Sequence, residues 1–512
     1  MDIVLATLNA KYIHASLGLR CLRANLGRWR EHSKLVELTI QERPVDVVER
    51  LLAERPRVIG LGVYVWNAAP TLAVVRMLKQ VAPEVLVVLG GPEVSHELEQ
   101  QPLVALADHV ITGEGELAFA ALVDRHLRGR PHLTKVIAGG LPPLAELALP
   151  YAEYTDEDVA QRVLYVEASR GCPFSCEFCL SSLDTKVRSF PLEQLVAALE
   201  QLVARGARQL KFVDRTFNLS PRTSHALLDF LLARQELGVF GHFEMVPDRF
   251  PSALRERIAR FGPGRIQLEV GIQTFDPATG ERISRRQDLD ALENNLRFLG
   301  EHTGAHVHAD LIIGLPGEDQ ATFAAGLDRL VALGPHEIQV GILKRLRGTP
   351  ITRHDQAYGV VWSEEPPYEI LANRLIDFAQ MQRLKRFARV WDLIINRGNF
   401  GRTAPLLWRD GSPFAGVMGL TDYLAARVSL GGVALPRQAE LVMEFLTEVR
   451  GLPRDEVGAA LAQDFLAPGR RAPTILQPYI TAAQRAAAAR PSPDGGADLA
   501  QLPARQQRHH GR

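Results

Sequence analysis

The sequence predicts an α/β protein with an N-terminal parallel-sheet domain, a partial barrel and a mostly helical C-terminal domain. Apolar strand-like runs alternate with helix-like segments over roughly the first 130 residues. The alternation restarts after a proline-containing connector and stops near residue 350. With 512 residues, the chain is long enough for several domains that each bury a core.

The first predicted domain spans residues 1–135, and its strand-like runs read DIVLATL, KLVELTI, VIGLGVYVW, VLVVLGG and HVITGEGE. Such continuous apolar runs are typical of a buried parallel sheet with helices on both faces, a Rossmann- or flavodoxin-like arrangement. Ligands of these sheets lie outside the carboxyl ends of the strands, where glycine lets a backbone approach closely. We therefore predict a ligand site at Asn9, Tyr64, Trp66, Asn67, Gly90, Gly91, Gly113, Glu114 and Gly115.

A linker is predicted over residues 136–162, and a second domain over residues 163–350. Its six strand-like runs read VLYVEAS, QLKFVDR, HFEMVP, RIQLEVGIQT, VHADLIIGLP and EIQVGILK. The segments between them have helical spacing, and Gly206 and Gly304 are placed to end two helices. Six βα units form a partial (β/α)6 TIM-type barrel, whose chemistry is expected at the C-terminal ends of the strands.

The remainder of the chain divides into a predicted helical domain, residues 351–485, and a tail, residues 486–512. The helical domain holds three of the five tryptophans. The tail is rich in Ala, Pro, Arg and Gln, a composition that predicts disorder.

The charge and composition of the chain limit the classes of partner and the cellular compartment that we expect. Lys+Arg and Asp+Glu are equal at 59 each, so no global positive field favours nucleic acid as a partner. No run approaches the roughly 18 apolar residues of a membrane span, and the N-terminus lacks the basic segment of a signal sequence. With only four cysteines, we predict a protein of the reducing cytoplasm.

Three of the four cysteines fall within eight residues, as Cys172, Cys176 and Cys179. Three thiolates can hold three irons of a cubane cluster and leave the fourth iron open to an exchangeable ligand. The alternatives are a zinc site completed by a distant His or by Cys21, and buried cysteines without a ligand. Zinc motifs usually supply paired ligands, and no second pair follows downstream, so the spacing favours the iron–sulfur cluster.

The stretch GCPFSCEFC, directly after the first barrel strand, resembles the signature of the radical S-adenosylmethionine (SAM) superfamily. The resemblance implies that the three cysteines bind a 4Fe-4S cluster and that SAM chelates the open iron. It also implies reductive cleavage of SAM to methionine and a 5′-deoxyadenosyl radical, which abstracts hydrogen from a substrate.

Three further segments, FVDRTFN, LEVGIQTFDPATGERISRRQ and ADLIIGLPGED, are similar to later strands of the cobalamin-binding subgroup of this superfamily. Each polar residue that they place at a strand end is also compatible with a solvated loop or a helix cap. The resemblance implies that the following residues contact SAM or substrate: Phe178, Asp214, Glu244, Gln273, Arg285 and Asp310.

The N-terminal segments VIGLGVYVWN, VVLGGPEVS and VITGEGELAF resemble the cobalamin-binding domain of that subgroup, which implies that the predicted ligand site holds cobalamin. The chain lacks the Asp-x-His-x-x-Gly motif that supplies an imidazole to cobalt, and the spacing of His14 and His96 does not match it. Either cobalamin binds without a protein imidazole, or the domain has kept its fold and lost the cofactor.

The reaction implied by the resemblance is methylation of an unactivated carbon in a small-molecule or natural-product-like substrate, with an electron donor such as flavodoxin or ferredoxin. Three alternatives stay open: radical cyclisation, as in the anaerobic magnesium-protoporphyrin monomethyl ester cyclase, oxidative rearrangement, and a non-catalytic sensor. A tRNA methylthiotransferase needs further N-terminal cysteines, and only Cys21 precedes the motif. The C-terminal domain resembles an uncharacterised one in this subgroup and is expected to close the barrel.

Overall fold

The computed structural model of the protein describes residues 1–130, 132–466, 470, 472–481 and 484. The predicted tail, residues 486–512, lies outside the described residues. The α/β fold class is confirmed, with a parallel-sheet domain, a barrel-like sheet and a helical C-terminal region.

The N-terminal domain is a six-stranded parallel sheet of order β2-β1-β3-β4-β5-β6. Its strands β1 to β6 are Ile3–Asn9, Ser33–Thr39, Val58–Gly62, Leu86–Gly90, His109–Thr112 and Val136–Ala138. Its helices α1 to α5 are Leu17–Ala24, Pro44–Ala53, Ala68–Val81, Pro102–Leu106 and Glu116–Leu127. Two hydrophobic cores pack against the sheet. Strand β6 lies in the segment predicted as a linker, where its short length left no detectable pattern.

The second domain is an open, six-stranded parallel sheet of order β14-β13-β12-β11-β10-β7, a partial barrel. After α6 (Asp156–Gln161), strands β7 to β14 are Leu164–Val166, Ser169–Arg170, Arg188–Ser189, Gln209–Phe212, Phe240–Met245, Ile266–Gln273, His306–Ile313 and Glu337–Ile342. Strands β8 and β9 form a separate antiparallel hairpin. Helices α7 to α12 are Leu192–Ala204, Pro221–Leu232, Ser252–Ile258, Pro277–Arg282, Leu289–His302 and Gln320–Ala332.

The C-terminal region is mostly helical and covers the open edge of the barrel. Helices α13 to α17 are Asp355–Tyr358, Phe378–Val390, Pro413–Ala425, Leu435–Glu444 and Arg454–Leu466, and a small antiparallel pair is formed by β15 (Val361–Trp362) and β16 (Ile370–Ala372). Asn396 exchanges two hydrogen bonds with the backbone of Ile338, at 2.8 and 3.0 Å. These bonds satisfy the backbone N–H and C=O groups of Ile338 on the edge strand β14. One hydrophobic core runs through the barrel and the C-terminal region.

A buried charge network joins the N-terminal domain to the segment before the barrel. Arg20, with 2% of its side chain exposed, contacts Glu37 at 2.8 Å and Asp158 at 2.7 Å. Arg162 contacts the same two carboxylates at 2.7 and 3.2 Å. Each charge is paired, so the two domains are held in a fixed relation.

Among the described residues, no helix has the length and apolarity to cross a bilayer.

Candidate active site

The cysteine motif lies in a loop whose base is the β8–β9 hairpin, where Arg170 pairs with Arg188. Gly171 follows with a φ of 89°, and a Cβ at this position would lie 2.5 Å from the carbonyl oxygen of Lys186. Only glycine fits this left-handed and crowded position. The chain therefore turns sharply just before Cys172 and points the motif into the barrel.

The three cysteines line one cavity of about 660 Å³ at the C-terminal ends of the barrel strands. Cys172 and Cys176 are buried, Cys179 is partly exposed, and all three are free thiols. Arg285 Nη1 donates to Cys176 Sγ at 3.3 Å, and Thr216 Oγ1 lies 3.8 Å from Cys172 Sγ. Burial raises the pKa of the Cys176 thiol, and Arg285 opposes that rise. The motif therefore presents three thiols to one space.

This cavity fits an iron–sulfur cluster better than a zinc site. No histidine and no fourth cysteine is among the described residues that line it. Across the described residues, no three His, Cys, Asp or Glu side chains are grouped to hold a single metal ion. One zinc ion needs each ligand atom at roughly 2.0–2.3 Å, whereas a cubane takes each thiolate on a different iron. Cys21 lies elsewhere, with its Sγ 3.9 Å from Arg170 Nη2.

Most of the residues predicted to contact SAM line the same cavity. Phe178, Glu244, Gln273, Arg285 and Asp310 all belong to its wall. Asp214 does not. Its carboxylate is buried and accepts hydrogen bonds from the Ala168 amide at 2.9 Å and from the Ser169 hydroxyl at 2.6 Å. Asp214 therefore braces the start of the cysteine hairpin instead of lining the cavity.

Three carboxylates converge on the wall opposite the thiols. Burial raises the pKa of Glu244 and, with the charges of Glu269 and Glu244, that of Asp310. Burial also acts on Glu269, but His242 Nε2 at 2.9 Å and Lys211 Nζ at 3.5 Å outweigh it and lower the pKa of this carboxyl. Glu269 therefore keeps its negative charge in a wall that also carries Arg215 and Arg285, and such a carboxylate suits the ammonium or the sulfonium group of SAM.

The end of β12 is strained and carries an unsatisfied polar atom. Gln273 has a φ of 76°, and its buried Oε1 has no hydrogen-bond partner among the described residues. The guanidinium of Arg285 bonds to the carbonyl oxygens of Gly271 and Ile272, the latter at 3.3 Å. A strained backbone and an orphaned acceptor on a cavity wall both indicate a ligand that donates a hydrogen bond there.

Several site residues were not predicted from the sequence. Glu269 faces the cavity, and the alternation of inward positions along "QLEVGIQ" would have found it. Glu177, inside the motif, is 2% exposed and bonds to Ser284 Oγ at 2.7 Å and to His354 Nε2 at 2.8 Å. The local sequence does not indicate the contact between Glu177 and His354, because His354 comes from the C-terminal region.

A second cavity of about 750 Å³ lies outside the carboxyl ends of β3, β4 and β5 in the N-terminal domain. Seven glycines line it: Gly18, Gly60, Gly62, Gly90, Gly91, Gly113 and Gly115. A Cβ at Gly91 would lie 2.5 Å from the carbonyl oxygen of Val63, so the wall cannot carry a side chain at that position. A wall of this kind admits a bulky ligand against the backbone itself.

The residues predicted for this ligand site separate into two groups. The cavity wall contains Tyr64, Gly90, Gly91, Gly113, Glu114 and Gly115. Asn67 is buried instead, and its amide bonds to Thr7 Oγ1 at 3.2 Å and to the Leu8 carbonyl at 3.1 Å. Asn9 is tied to Glu37 at 3.1 Å, and Trp66 stacks on Tyr64 with ring centroids 4.4 Å apart. These three residues do not line the cavity.

The second cavity fits cobalamin bound without a protein imidazole. No histidine is among the described residues that line it, and His14 is bonded to Tyr165 OH at 2.7 Å. Glu116, on the cavity wall, is 5% exposed, and its Oε2 has no hydrogen-bond partner among the described residues. An amide on the edge of a corrin is a donor of the required kind.

Residues at the base of the cysteine loop line both cavities. Arg170 lines the glycine-walled cavity, and Cys172, two residues later, lines the thiol cavity. One short segment of chain therefore contributes to a space suited to cobalamin and to a space suited to a cluster with SAM.

Family models match three consecutive parts of the chain. The model described as "B12 binding domain" matches residues 3–123, and "Radical SAM superfamily" matches residues 166–330. A model described as "Protein of unknown function (DUF4080)" matches residues 356–484. These ranges contain the glycine-walled cavity, most of the barrel and the helical C-terminal region.

Two curated relatives match part of this chain. The cobalamin-dependent radical SAM methyltransferase TokK of Streptomyces tokunonensis is 30% identical over 354 residues, 59% of this chain and 49% of TokK. The 2-(S-pantetheinyl)-carbapenam-3-carboxylate methyltransferase of Streptantibioticus cattleyicolor is 28% identical over 362 residues, 62% of this chain and 51% of that enzyme. The chain thus spans about half the length of these relatives.

Two solved structures share the fold. TsrM from Kitasatospora setae is a radical SAM methyltransferase whose structure has tryptophan substrate and a SAM analog bound. It has a TM-score of 0.57 at 16% identity, and the match covers 74% of this chain and 81% of the TsrM chain. OxsB, a cobalamin-dependent SAM radical enzyme with aqua-cobalamin and SAM bound, has a TM-score of 0.59 at 13% identity. This match covers 99% of this chain and 83% of the OxsB chain.

Proposed function

We propose that the chain is a cobalamin-dependent radical SAM methyltransferase acting on an unactivated carbon of a small molecule, because the B12-binding model matches residues 3–123 and the radical SAM model matches residues 166–330. The observation that carries the proposal is that Arg170 and Cys172, two residues apart, line the glycine-walled cavity and the thiol cavity, respectively. The reaction type is supported by the two methyltransferase relatives.

The residues around the thiol cavity are assigned as follows. Cys172, Cys176 and Cys179 would hold the cluster, and the remaining wall, including Glu244, Gln273 and Asp310, would contact SAM. When bound, the cluster supplies the electron that cleaves SAM, and cobalamin carries the methyl group. Arg285 offers positive charge beside Cys176 Sγ and so favours the thiolate over the thiol.

Water must be kept from a site that generates a radical, and the aromatic residues of the motif serve this purpose. Phe174 and Phe178 line the thiol cavity beside the cysteines. The Arg249 guanidinium lies over the ring of Phe174, 5.3 Å from its centroid. This contact holds the ring at the cavity wall, because a cation favours the face of an aromatic ring.

The interior of the barrel beneath the thiol cavity is polar. A cavity of about 1130 Å³ lies at the N-terminal ends of the barrel strands, and Glu269 lines both this cavity and the thiol cavity. Its other walls carry Tyr165, Lys211, His242 and His308. A substrate that reached Glu269 from the thiol cavity would meet hydrogen-bonding groups, which suit a small polar molecule.

The proposal is tested by anaerobic turnover of the reconstituted protein with SAM that carries a labelled methyl group. The reductant is a chemical one in one series and flavodoxin in another. Release of 5′-deoxyadenosine together with label in the corrin fraction is the expected result. Release without label on the corrin would favour the cyclase or rearrangement alternatives. No release above that of Cys176→Ala would leave the sensor alternative and overturn the enzymatic proposal.

A further inference from the structure

We propose that Arg170 and Arg188 are positioning residues that tie the cysteine loop to the wall of the glycine-lined cavity through Glu114. A corrin bound in that cavity would thereby order the loop that holds the cluster. The inference rests on the proposed function, because it takes a corrin as the ligand of the cavity.

The contacts form a closed bridge between the two domains. Arg170 Nη1 lies 2.9 Å from Glu114 Oε2, and Arg188 Nη1 lies 3.3 Å from the same oxygen. Arg188 Nη2 bonds to the other oxygen, Oε1. The two arginine side chains are each 13% exposed and Glu114 is 15% exposed. One carboxylate of the N-terminal domain therefore joins both strands of the hairpin that closes the cysteine loop.

One carboxylate oxygen beside this bridge can accept a hydrogen bond from a ligand. Arg170 also contacts Glu116 at 2.8 Å and Glu167 at 3.1 Å, and burial raises the pKa of Glu167 to about 7. The second oxygen of Glu116 is buried without a hydrogen-bond partner among the described residues, and Glu116 lines the cavity. A ligand with N–H donors along its edge would satisfy that oxygen and pack against the bridge.

The backbone around Glu114 explains why a ligand would change the loop. Glu114 stands between Gly113, with a φ of 73°, and Gly115, and both glycines line the cavity. Glycine constrains a backbone less than any other residue, so the position of this carboxylate depends on what fills the cavity. A ligand against the two glycines fixes Glu114, and Glu114 fixes Arg170 and Arg188 at the base of the loop. By linkage, order in the loop would strengthen corrin binding by the same factor.

Hydrogen exchange on the full chain, purified without iron, tests this bridge separately from turnover. Exchange is followed by mass spectrometry with and without hydroxocobalamin, and bound corrin is measured by absorbance after gel filtration. In the unaltered protein we expect hydroxocobalamin to slow amide exchange over residues 172–183 by about tenfold. In Arg188→Gln the slowing should fall below about twofold while corrin still binds, because Arg188 does not line the cavity.

Two further variants make the result decisive. Glu97→Gln is the matched control, because Glu97 contacts Arg345 at 2.9 Å and Arg347 at 3.2 Å at a different interface, and it should behave like the unaltered protein. Arg188→Met removes both bonds to Glu114 and keeps a side chain of similar length, so it should reproduce Arg188→Gln if that variant folds poorly. Bound corrin with equal protection in Arg188→Met and the unaltered protein would overturn the inference. Failure of the unaltered protein to bind hydroxocobalamin would instead overturn the cofactor assignment on which it rests.

Discussion

Glu318, in the loop after β13, should make the barrel less stable as the pH rises, and Glu318→Gln should remove this dependence. The residue is 2% exposed, and its Oε1 accepts a hydrogen bond from Thr274 Oγ1 at 2.5 Å. Burial, with Asp276 and Asp319 nearby, raises its pKa to about 8 from an ordinary value of 4.5. The folded protein therefore keeps this carboxyl protonated at pH 7, whereas the unfolded chain ionises it.

The sign and size of the effect follow from this difference in pKa. Between about pH 4.5 and pH 8 the folded state binds one more proton than the unfolded state, so stability falls as pH rises and levels off above pH 8. The full difference is on the order of 5 kcal/mol, since the pKa rises by about 3.5 and each pKa unit corresponds to about 1.4 kcal/mol. Glutamine is neutral at every pH and has nearly the same shape, so it removes the penalty.

Urea unfolding followed by circular dichroism measures the prediction. At pH 5 the unaltered protein and Glu318→Gln should have similar midpoints. At pH 8 the variant should be the more stable by several kcal/mol, with an unchanged slope of free energy against urea. A constant difference between the two proteins from pH 5 to pH 8 would refute the raised pKa. A lower midpoint for the variant at pH 8 would refute the sign of the linkage.

Three further predictions concern the two cavities. A Cβ at Gly90 would meet no atom closer than the Ile111 carbonyl oxygen at 3.7 Å, so Gly90→Val should fold and retain iron. Its side chain would enter the cavity, so the affinity for hydroxocobalamin, measured by equilibrium dialysis, should fall about tenfold or more. Cys179→Ala should abolish release of 5′-deoxyadenosine, whereas Cys21→Ser should leave it nearly intact; loss of the cluster in the Cys21 variant would contradict the open-iron assignment. Arg285→Met removes a donor from the thiol cavity and should weaken SAM binding by about tenfold in calorimetry, and unchanged binding would exclude Arg285 from the SAM site.

Periodicity and short motifs were sufficient to predict the parts of this protein that local sequence determines. Five strands of the first sheet and all six of the second follow from apolar runs, and the grouping of the three thiols in one loop follows from their spacing. Four of the seven glycines of the second cavity, Gly90, Gly91, Gly113 and Gly115, were also predicted, because glycine at the carboxyl end of a parallel strand lets a ligand approach the backbone. Strand β6 was missed because three residues are too few for a pattern.

Contacts between distant segments were not predictable from one sequence. Asp214 sits at a strand end like the true wall residues, yet its carboxylate turns back to Ala168 and Ser169. The charge on Arg170 gave no indication that its partners would be Glu114 and Glu116 of another domain. Such pairings depend on how the domains pack, a property that neither propensity nor spacing encodes. The domain boundaries inferred from the sequence therefore stay predictions.

The central claim is that one chain holds a cluster and a corrin on opposite sides of the β8–β9 hairpin. Anaerobic reconstitution with iron, sulfide and hydroxocobalamin, followed by metal and corrin quantification, tests it most directly. We predict about four irons and about one corrin for each chain, with corrin binding retained in Cys172→Ala and iron lost. Iron without corrin in the unaltered protein, or joint loss of both in that variant, would contradict the claim.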